Sequence, residues 1–478
     1  MTINKKGCPF HTISEIHEFD ALDPKARANP YPYYDWLRDD PNRTIYPLPG
    51  EKFYVAVHRY EDVKEVLGDS ENFSSSVIPT HKSPFFVLMD DEEHKRIRSV
   101  VALVFSHKNV LKWEPTITSI IKSITDNFIK TKTGDVFEEW ADPIPLATLS
   151  VLFGLKTDKE ALKKLHNDAI AINRALFVTG GTGPRRKNIP TWPEKFLISW
   201  TLIKNTSKIF KLRSLIGSDG MKELQLMMRM VDKQIETPRP NFNHIPNGIG
   251  PMLDLMIAFA EKLKAVDQQY AADENPLSVF NEHIKKGTVT FMEMVMAGAF
   301  ILFAGYETTT SLLSNSLVHL ARNKELFNEL KKHPEKLEDF IEESLRYYTP
   351  VGRFLRRANK DVELGGKIIP KNTIVIIMPG AANTDPQKFE NGCAFDMNRE
   401  NSRQHLSFGK GAHFCIGASL ARMQVLIALK TLLNSANEIS IDESLGMQMV
   451  TDRDNGIFRY EKIICNVTSD QRPVTSDQ

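Results

Sequence analysis

A lone cysteine stands where a glycine-rich run gives way to a helical pattern. The stretch is HLSFGKGAHFCIGASLAR, His405 to Arg422, with Cys415 near its middle. Gly409, Gly411 and Gly417 have no Cβ, so the backbone can turn tightly and a flat group can approach it closely. A thiol at the entrance to IGASLARMQVLIALKTLL sits at the positive end of a helix dipole, where backbone N–H groups stabilise a thiolate. Three chemistries could use such a residue. The first is a buried structural cysteine, the usual case for a solitary thiol. The second is a nucleophile or zinc ligand working with His405 and His413. The third is a thiolate ligand to an iron cofactor. Zinc needs a third and a fourth ligand at suitable spacing, and none is evident. The glycines do not form a dinucleotide fingerprint, because Phe414 stands where the last glycine is required. The local chemistry favours iron.

Other groups with chemical potential lie upstream. Glu343 and Arg346 are spaced i,i+3, which taken singly marks a surface ion pair worth a few tenths of a kcal/mol. AGYETT, Ala304 to Thr309, sets a glycine in mid-helix at a cost of roughly 1 kcal/mol relative to alanine. Close helix packing would explain a lone Ala-Gly, but here an acid and an alcohol follow. His94 and Arg98 fall one turn apart on a helical face, and Arg356 and Arg357 precede an alternating, strand-like run.

The elements that must position these groups are mostly helices. PYPYYDWLRDD reads as a short helix opened by proline, EKFYVAVHRY as a strand, and EDVKEVLGD as a helix closed near Gly68. From about Glu92 to Leu155 amphipathic helices follow one another almost without a break. The longest helix is expected from about Thr288 to Arg322; its centre is apolar all round, as in a buried helix, and Glu293 and Glu307 argue against a membrane span. PEKLEDFIEESLRYY gives another helix, stopped before Pro350. VELGGKIIPKNTIVIIM reads as strand, Gly-Gly hairpin and strand. No βαβ rhythm appears, so a doubly wound sheet is excluded.

The chain has 478 residues, with 61 basic and 60 acidic side chains. That balance gives no reason to expect nucleic acid as a partner. Four scattered cysteines without CxxC spacing suggest neither a disulfide scaffold nor a zinc ribbon, and fit a reducing, cytoplasmic setting. Residues 1–20 are polar, with no apolar signal region and no transmembrane anchor. The tail 468–478 is expected to be disordered.

Phe408 to Gly417 resembles the haem-binding signature FxxGxxxCxG of the cytochrome P450 family, in its bacterial form with a histidine two residues before the cysteine. The resemblance implies one large, mainly α domain with small β-sheets over residues 21–467, built on the cytochrome P450 fold. It also implies haem b (iron protoporphyrin IX) with Cys415 as axial ligand, Phe408, Gly409 and Gly417 around it, and His413 as a propionate partner. Further propionate partners follow from H-x-x-x-R and R-x-A-x-x-D segments: His94, Arg98 and Arg356, with Arg357 as neighbour. AGYETT resembles the family's oxygen-binding segment, so Ala304 and Gly305 shape the oxygen pocket and Glu307 and Thr308 relay protons. Glu343, Arg346 and Arg399 are implied as a structural charge network with no role in the chemistry.

By the same resemblance Phe85, Phe86 and Val87 approach the haem from the side, and Phe303, Val351 and Phe354 are further pocket candidates, suiting an apolar or aromatic molecule. The implied activity is a monooxygenase of secondary metabolism, hydroxylating by default. Aryl or phenol coupling, or a non-catalytic haem sensor, are the alternatives. Electrons are expected from a ferredoxin or flavodoxin with its reductase, on a face to which Lys95, Arg96, Lys410 and Arg422 could add positive charge. The lid region, about 175–285, is enlarged. Within it Phe196, Trp200, Ile203 and Phe210 follow helical spacing beside Lys195, Lys204, Lys208, Lys211 and Arg213. A lid helix with a core-facing apolar side is the ordinary reading; a carrier-protein, membrane-surface or self-association contact through about 192–216 is the sharper one.

Overall fold

The computed structural model describes residues 16–20, 26, 29–49, 53–77, 85–177, 200–217, 220, 244–269, 275–442, 447–449, 457 and 460–469. Phe196 and Lys195, the loop GGTGPRRKNIP and residues 470–478 of the tail lie outside the described residues, while Thr468, expected in the disordered tail, ends the strand Tyr460–Thr468 and pairs with Glu438.

Helices build the body of the protein. Those that matter for the site are α1 (Asp91–Val104), α2 (His107–Lys130), α3 (Pro143–Leu152), α4 (Lys159–Phe177), α5 (200–217), α6 (His244–Gln269), α7 (Phe291–Arg322), α8 (Leu337–Tyr348) and α9 (Ala418–Ser435). The long α7 runs through the middle and packs against α3, α6, α8 and α9. It begins at Phe291, a few residues later than its pattern suggests, because Thr290 and Glu293 close a reciprocal capping box. By length and apolarity it could cross a bilayer, yet 72% of its most apolar window is buried inside the protein. It is therefore a core helix.

The helical series from Glu92 to Leu155 is interrupted once. After Lys132, at φ 59°, the chain forms a short strand, Thr133–Asp135, which pairs with the late strand Tyr460–Thr468. A five-stranded sheet joins early and late parts of the chain. Its strands are β1 (Ile45–Pro47), β2 (Tyr54–Val57) and β3 (Phe73–Ser74), joined by Phe354–Ala358 and Ile374–Ile377. Val55 lies opposite Val375 in a parallel pair, and Arg356 lies opposite Val375 in an antiparallel one. The expected hairpin is present: Gly365 and Gly366, at φ 54° and 76°, turn Val362–Leu364 back onto Lys367–Ile369.

Candidate active site

Cys415 closes the loop that leads into α9. Its backbone N–H donates to the Phe408 carbonyl at 2.8 Å, which folds the loop back on itself. Gly409 and Gly411 both sit at φ 69°, a region that an L side chain enters only with strain. A Cβ on Gly411 would also lie 3.1 Å from the Leu67 carbonyl, so glycine is required there. Gly417 has open space around its missing Cβ.

The Cys415 side chain is accessible, yet burial among surrounding protein atoms still raises its pKa, while the Gly417 N–H, Arg98 and Arg422 pull it down. A raised pKa argues against an autonomous nucleophile, which needs a depressed one. The zinc reading also fails. His405 is buried and turned to Glu342, with Nε2 3.4 Å from Oε2, and no metal-binding cluster of three ligands occurs among the described residues.

Around this loop lies a set of polar groups that the protein itself does not satisfy. His94, on α1, stacks on His413 with ring centroids 4.0 Å apart. His94 Nε2 and both nitrogens of His413 are buried with no hydrogen-bond partner. Burial first, then His413, lowers the His94 pKa to about 3; burial also lowers that of His413, against the pull of Asp90. Arg356 is buried on its strand, donates only to the Leu355 carbonyl, and has its pKa lowered to about 10 by burial. Its neighbour Arg357 points the other way, donating to the Ser76 carbonyl and Asn372. Strand alternation thus selects Arg356 as the inward cation. Arg98 reaches the Phe414 carbonyl and so ties α1 to the cysteine loop.

Buried polar groups without partners are costly. Two neutral imidazoles and an unpaired guanidinium fit a ligand that brings its own carboxylates. The donor set and the thiol together match a haem with propionates. Asp90 also stands here and was not legible in the sequence. Burial would raise its pKa, but His413, Ser74, Ser75 and Ser76 hold it well below the ordinary carboxylate range. Its Oδ1 is 3.9 Å from His413 Nε2, an attraction rather than a hydrogen bond.

On α7, Thr308 Oγ1 donates to the Ala304 carbonyl at 2.9 Å, and Glu307 is buried one residue before it. A bond back to residue i−4 bends a helix locally. Leu149 of α3 would lie 3.1 Å from a Cβ on Gly305, so the glycine also allows close packing there. Tyr306 turns to the far side of α7, where its buried hydroxyl donates to Asp142 and meets His166 of α4. That tie fixes the rotation of α7 at the Ala304–Thr308 turn, and sequence reading missed it.

Phe85 and Phe86 are buried against Phe300 at 5.8 and 5.6 Å, and Phe300 meets Phe303 at 4.9 Å. Val87 is partly buried against the large hydrophobic core to which these rings belong. Phe300 was missed, although its i,i+3 spacing from Phe303 could have shown it. Phe354 packs instead on the core of the small sheet, and Val351 bridges to Ile457, so neither joins the aromatic cluster through a contact seen here.

The charge network holds the chain at Asn383 and at Glu390–Asp396. Arg346 and Glu343 are fully buried and doubly bonded, Nε to Oε2 at 2.7 Å and Nη2 to Oε1 at 2.6 Å. Arg346 also donates to the carbonyls of Asn383, Gly392 and Ala394, and Arg399 Nε lies 3.4 Å from Glu343 Oε1. The face near Cys415 is less positive than its composition suggests. Lys95 pairs with Glu92, Arg96 with Glu293, and Arg422 with Glu342.

Comparison with known proteins points one way. The family model for cytochrome P450 matches residues 252–438. Cytochrome P450 109 of Bacillus spizizenii is 28% identical over 411 residues, covering 86% of this chain and 85% of its own. Among solved structures, a Bacillus megaterium cytochrome P450 in complex with testosterone superposes with a TM-score of 0.71 at 24% identity, covering 93% of this chain and 99% of its own. A second, P450BioI with an acyl carrier protein bearing hexadec-9Z-enoic acid, gives 0.71 at 21%, covering 93% and 100%.

Proposed function

The chain belongs to the cytochrome P450 family, whose members are haem-thiolate monooxygenases, and we propose that it hydroxylates an apolar or aromatic small molecule beside Phe85, Phe86, Phe300 and Phe303. The observation that carries the site assignment is the set of buried groups around the cysteine loop: the unpartnered nitrogens of His94 and His413, and Arg356, whose guanidinium has no carboxylate partner and donates to the Leu355 carbonyl. Cys415 would hold haem iron, and these three with Arg98 would hold the propionates. Bound haem supplies the iron at which dioxygen is activated, and thiolate ligation favours O–O cleavage.

The chain's own residues have distinct tasks. Glu307, buried at the turn of α7, holds a proton away from bulk water, and Thr308 passes it on by rotating its hydroxyl from the Ala304 carbonyl. Gly305 keeps that turn free of a side chain. The aromatic cluster excludes water and orients an apolar substrate. Two electrons come from a separate ferredoxin or flavodoxin. Exposed Phe414 beside Cys415 offers it an apolar contact, where Lys95 and Arg422 are already paired. A non-catalytic haem sensor would have no use for the buried acid next to Thr308.

The test is a titration of the ferric protein with small aromatics, terpenoids, fatty acids and steroids, following the Soret band. A low-to-high-spin shift with one class, followed by oxygenated product from that class, supports the reading. A reduced carbon monoxide spectrum without the thiolate band would refute it.

A further inference from the structure

The two faces of α5 meet different surroundings. Leu212 and Ile216 are buried, and Leu202 and Ile209 pack beside them on the helical core. On the outer side Trp200, Ile203 and Phe210 are 44, 62 and 62% exposed. A turn at Asn205 separates helical residues 200–204 from 206–217, so Trp200 and Ile203 stand on the first piece and Phe210 on the second, all three on the exposed side. The apolar side chains expected to face the core therefore face outward, and a second apolar row does the packing.

Charge on α5 is of one sign. Between residues 200 and 217 stand Lys204, Lys208, Lys211 and Arg213, with no acidic side chain. Lys208 pairs with Asp254 at 2.9 Å and Lys211 with Glu261 at 2.7 Å, both on α6. Lys204 lies over the Trp200 ring, 5.6 Å from its centroid, and Arg213 is exposed.

We propose that α5 is the contact through which this protein rests on a membrane surface containing anionic lipid. Ile203 and Phe210 enter the boundary between headgroups and acyl chains, Trp200 sits at headgroup level, and Lys204 and Arg213 meet lipid phosphates. Exposed apolar side chains suit a fluid layer, which has no shape to match. Pairing with a second copy would set Ile203 against Phe210 of an antiparallel α5, but would also bring Lys204 and Arg213 of one copy towards the same cations of the other, with no acidic side chain on either α5. An acidic carrier protein docks mainly by charge, and two of the four cations are already neutralised by α6. What remains exposed is chiefly apolar.

The haem-loaded protein would be sedimented with phosphatidylcholine vesicles, with and without phosphatidylglycerol, at low and high salt. Binding is expected with phosphatidylglycerol and should weaken as salt rises. Lys204→Gln with Arg213→Gln should lower the partition coefficient about 30-fold, at about a tenfold loss for every 1.4 kcal/mol and about 1 kcal/mol per cation. Ile203→Ser with Phe210→Ser should remove binding, and the reduced carbon monoxide spectrum should stay unchanged as a check on the fold. No sedimentation at low salt overturns the proposal, as does equal binding by the apolar double variant. So does association with an acidic carrier protein, or dimerisation, that the same variants abolish while vesicles are ignored.

Discussion

His94 and His413 lie face to face, 17° from parallel, with His94 Nε2 and both His413 nitrogens buried and unpartnered. In the protein by itself the stack is unfavourable, because each buried nitrogen lacks the hydrogen bond it would have in water. Replacing His413 with Phe removes that penalty while keeping ring packing. The haem-free protein should then melt at the same temperature or higher. The loaded protein should lose haem to apomyoglobin roughly 5- to 150-fold faster, as expected for about 1–3 kcal/mol of lost hydrogen bonding. Unchanged haem release would place the propionates elsewhere.

Glu343 and Arg346 are a buried pair of another kind, fully satisfied and bound to three backbone carbonyls as well. Glu343→Gln leaves a buried guanidinium without its counter-charge, which should cost about 3–5 kcal/mol of stability. The urea midpoint should fall sharply, and haem should be taken up poorly because the loop around Arg399 and Ala394 loses its support. Glu92→Gln, which breaks the exposed pair with Lys95, should leave the midpoint unchanged. Similar shifts for both variants would mean that the buried network is not what holds the loop.

What could be read from the sequence was local. The cysteine loop, the Glu343–Arg346 spacing, the Gly-Gly hairpin and the long α7 each lie within a short window, where residue type and period carry the information. The five-stranded sheet was not legible, because β2 pairs with Ile374–Ile377, about three hundred residues away, and no periodicity reports a partner. Asp90 and the Tyr306–Asp142–His166 tie were missed for the same reason: each joins elements remote in the chain. In α5, spacing identified an apolar row correctly but could not say which way it faces, since Leu202, Ile209, Leu212 and Ile216 form a second row that does the packing.

Thr308→Ala should keep the reduced carbon monoxide spectrum, since no haem-holding group changes. It removes the hydroxyl now bonded to the Ala304 carbonyl and with it the proposed step between Glu307 and the reacting centre. Electrons should be diverted, so peroxide released per NADPH consumed should rise several-fold with any ligand that gives the spin shift. If peroxide yield and product per NADPH both stay at the parent level, the proton-relay role belongs to another group.

Acid stability should report His58. This residue is fully buried, with Nε2 2.9 Å from the Arg43 carbonyl and Nδ1 unpartnered. Burial, helped by Arg38 and Arg59 and opposed by the Arg43 carbonyl and Asp385, lowers its pKa from 6.5 to about 4. Between these values the unfolded chain takes up a proton that the native protein refuses, so unfolding gains as pH falls through this window. The stabilisation is complete above pH 6.5 and lost by about pH 4; at about 1.36 kcal/mol per pKa unit it amounts to ~3 kcal/mol. His319, also lowered to about 4 by burial, acts in the same direction and will keep part of the slope. His58→Gln retains a donor for the Arg43 carbonyl but does not titrate. In urea unfolding, its loss of stability from pH 7 to pH 5 should be smaller than the parent's by about 2 kcal/mol. Identical slopes would show that His58 is protonated in the native state.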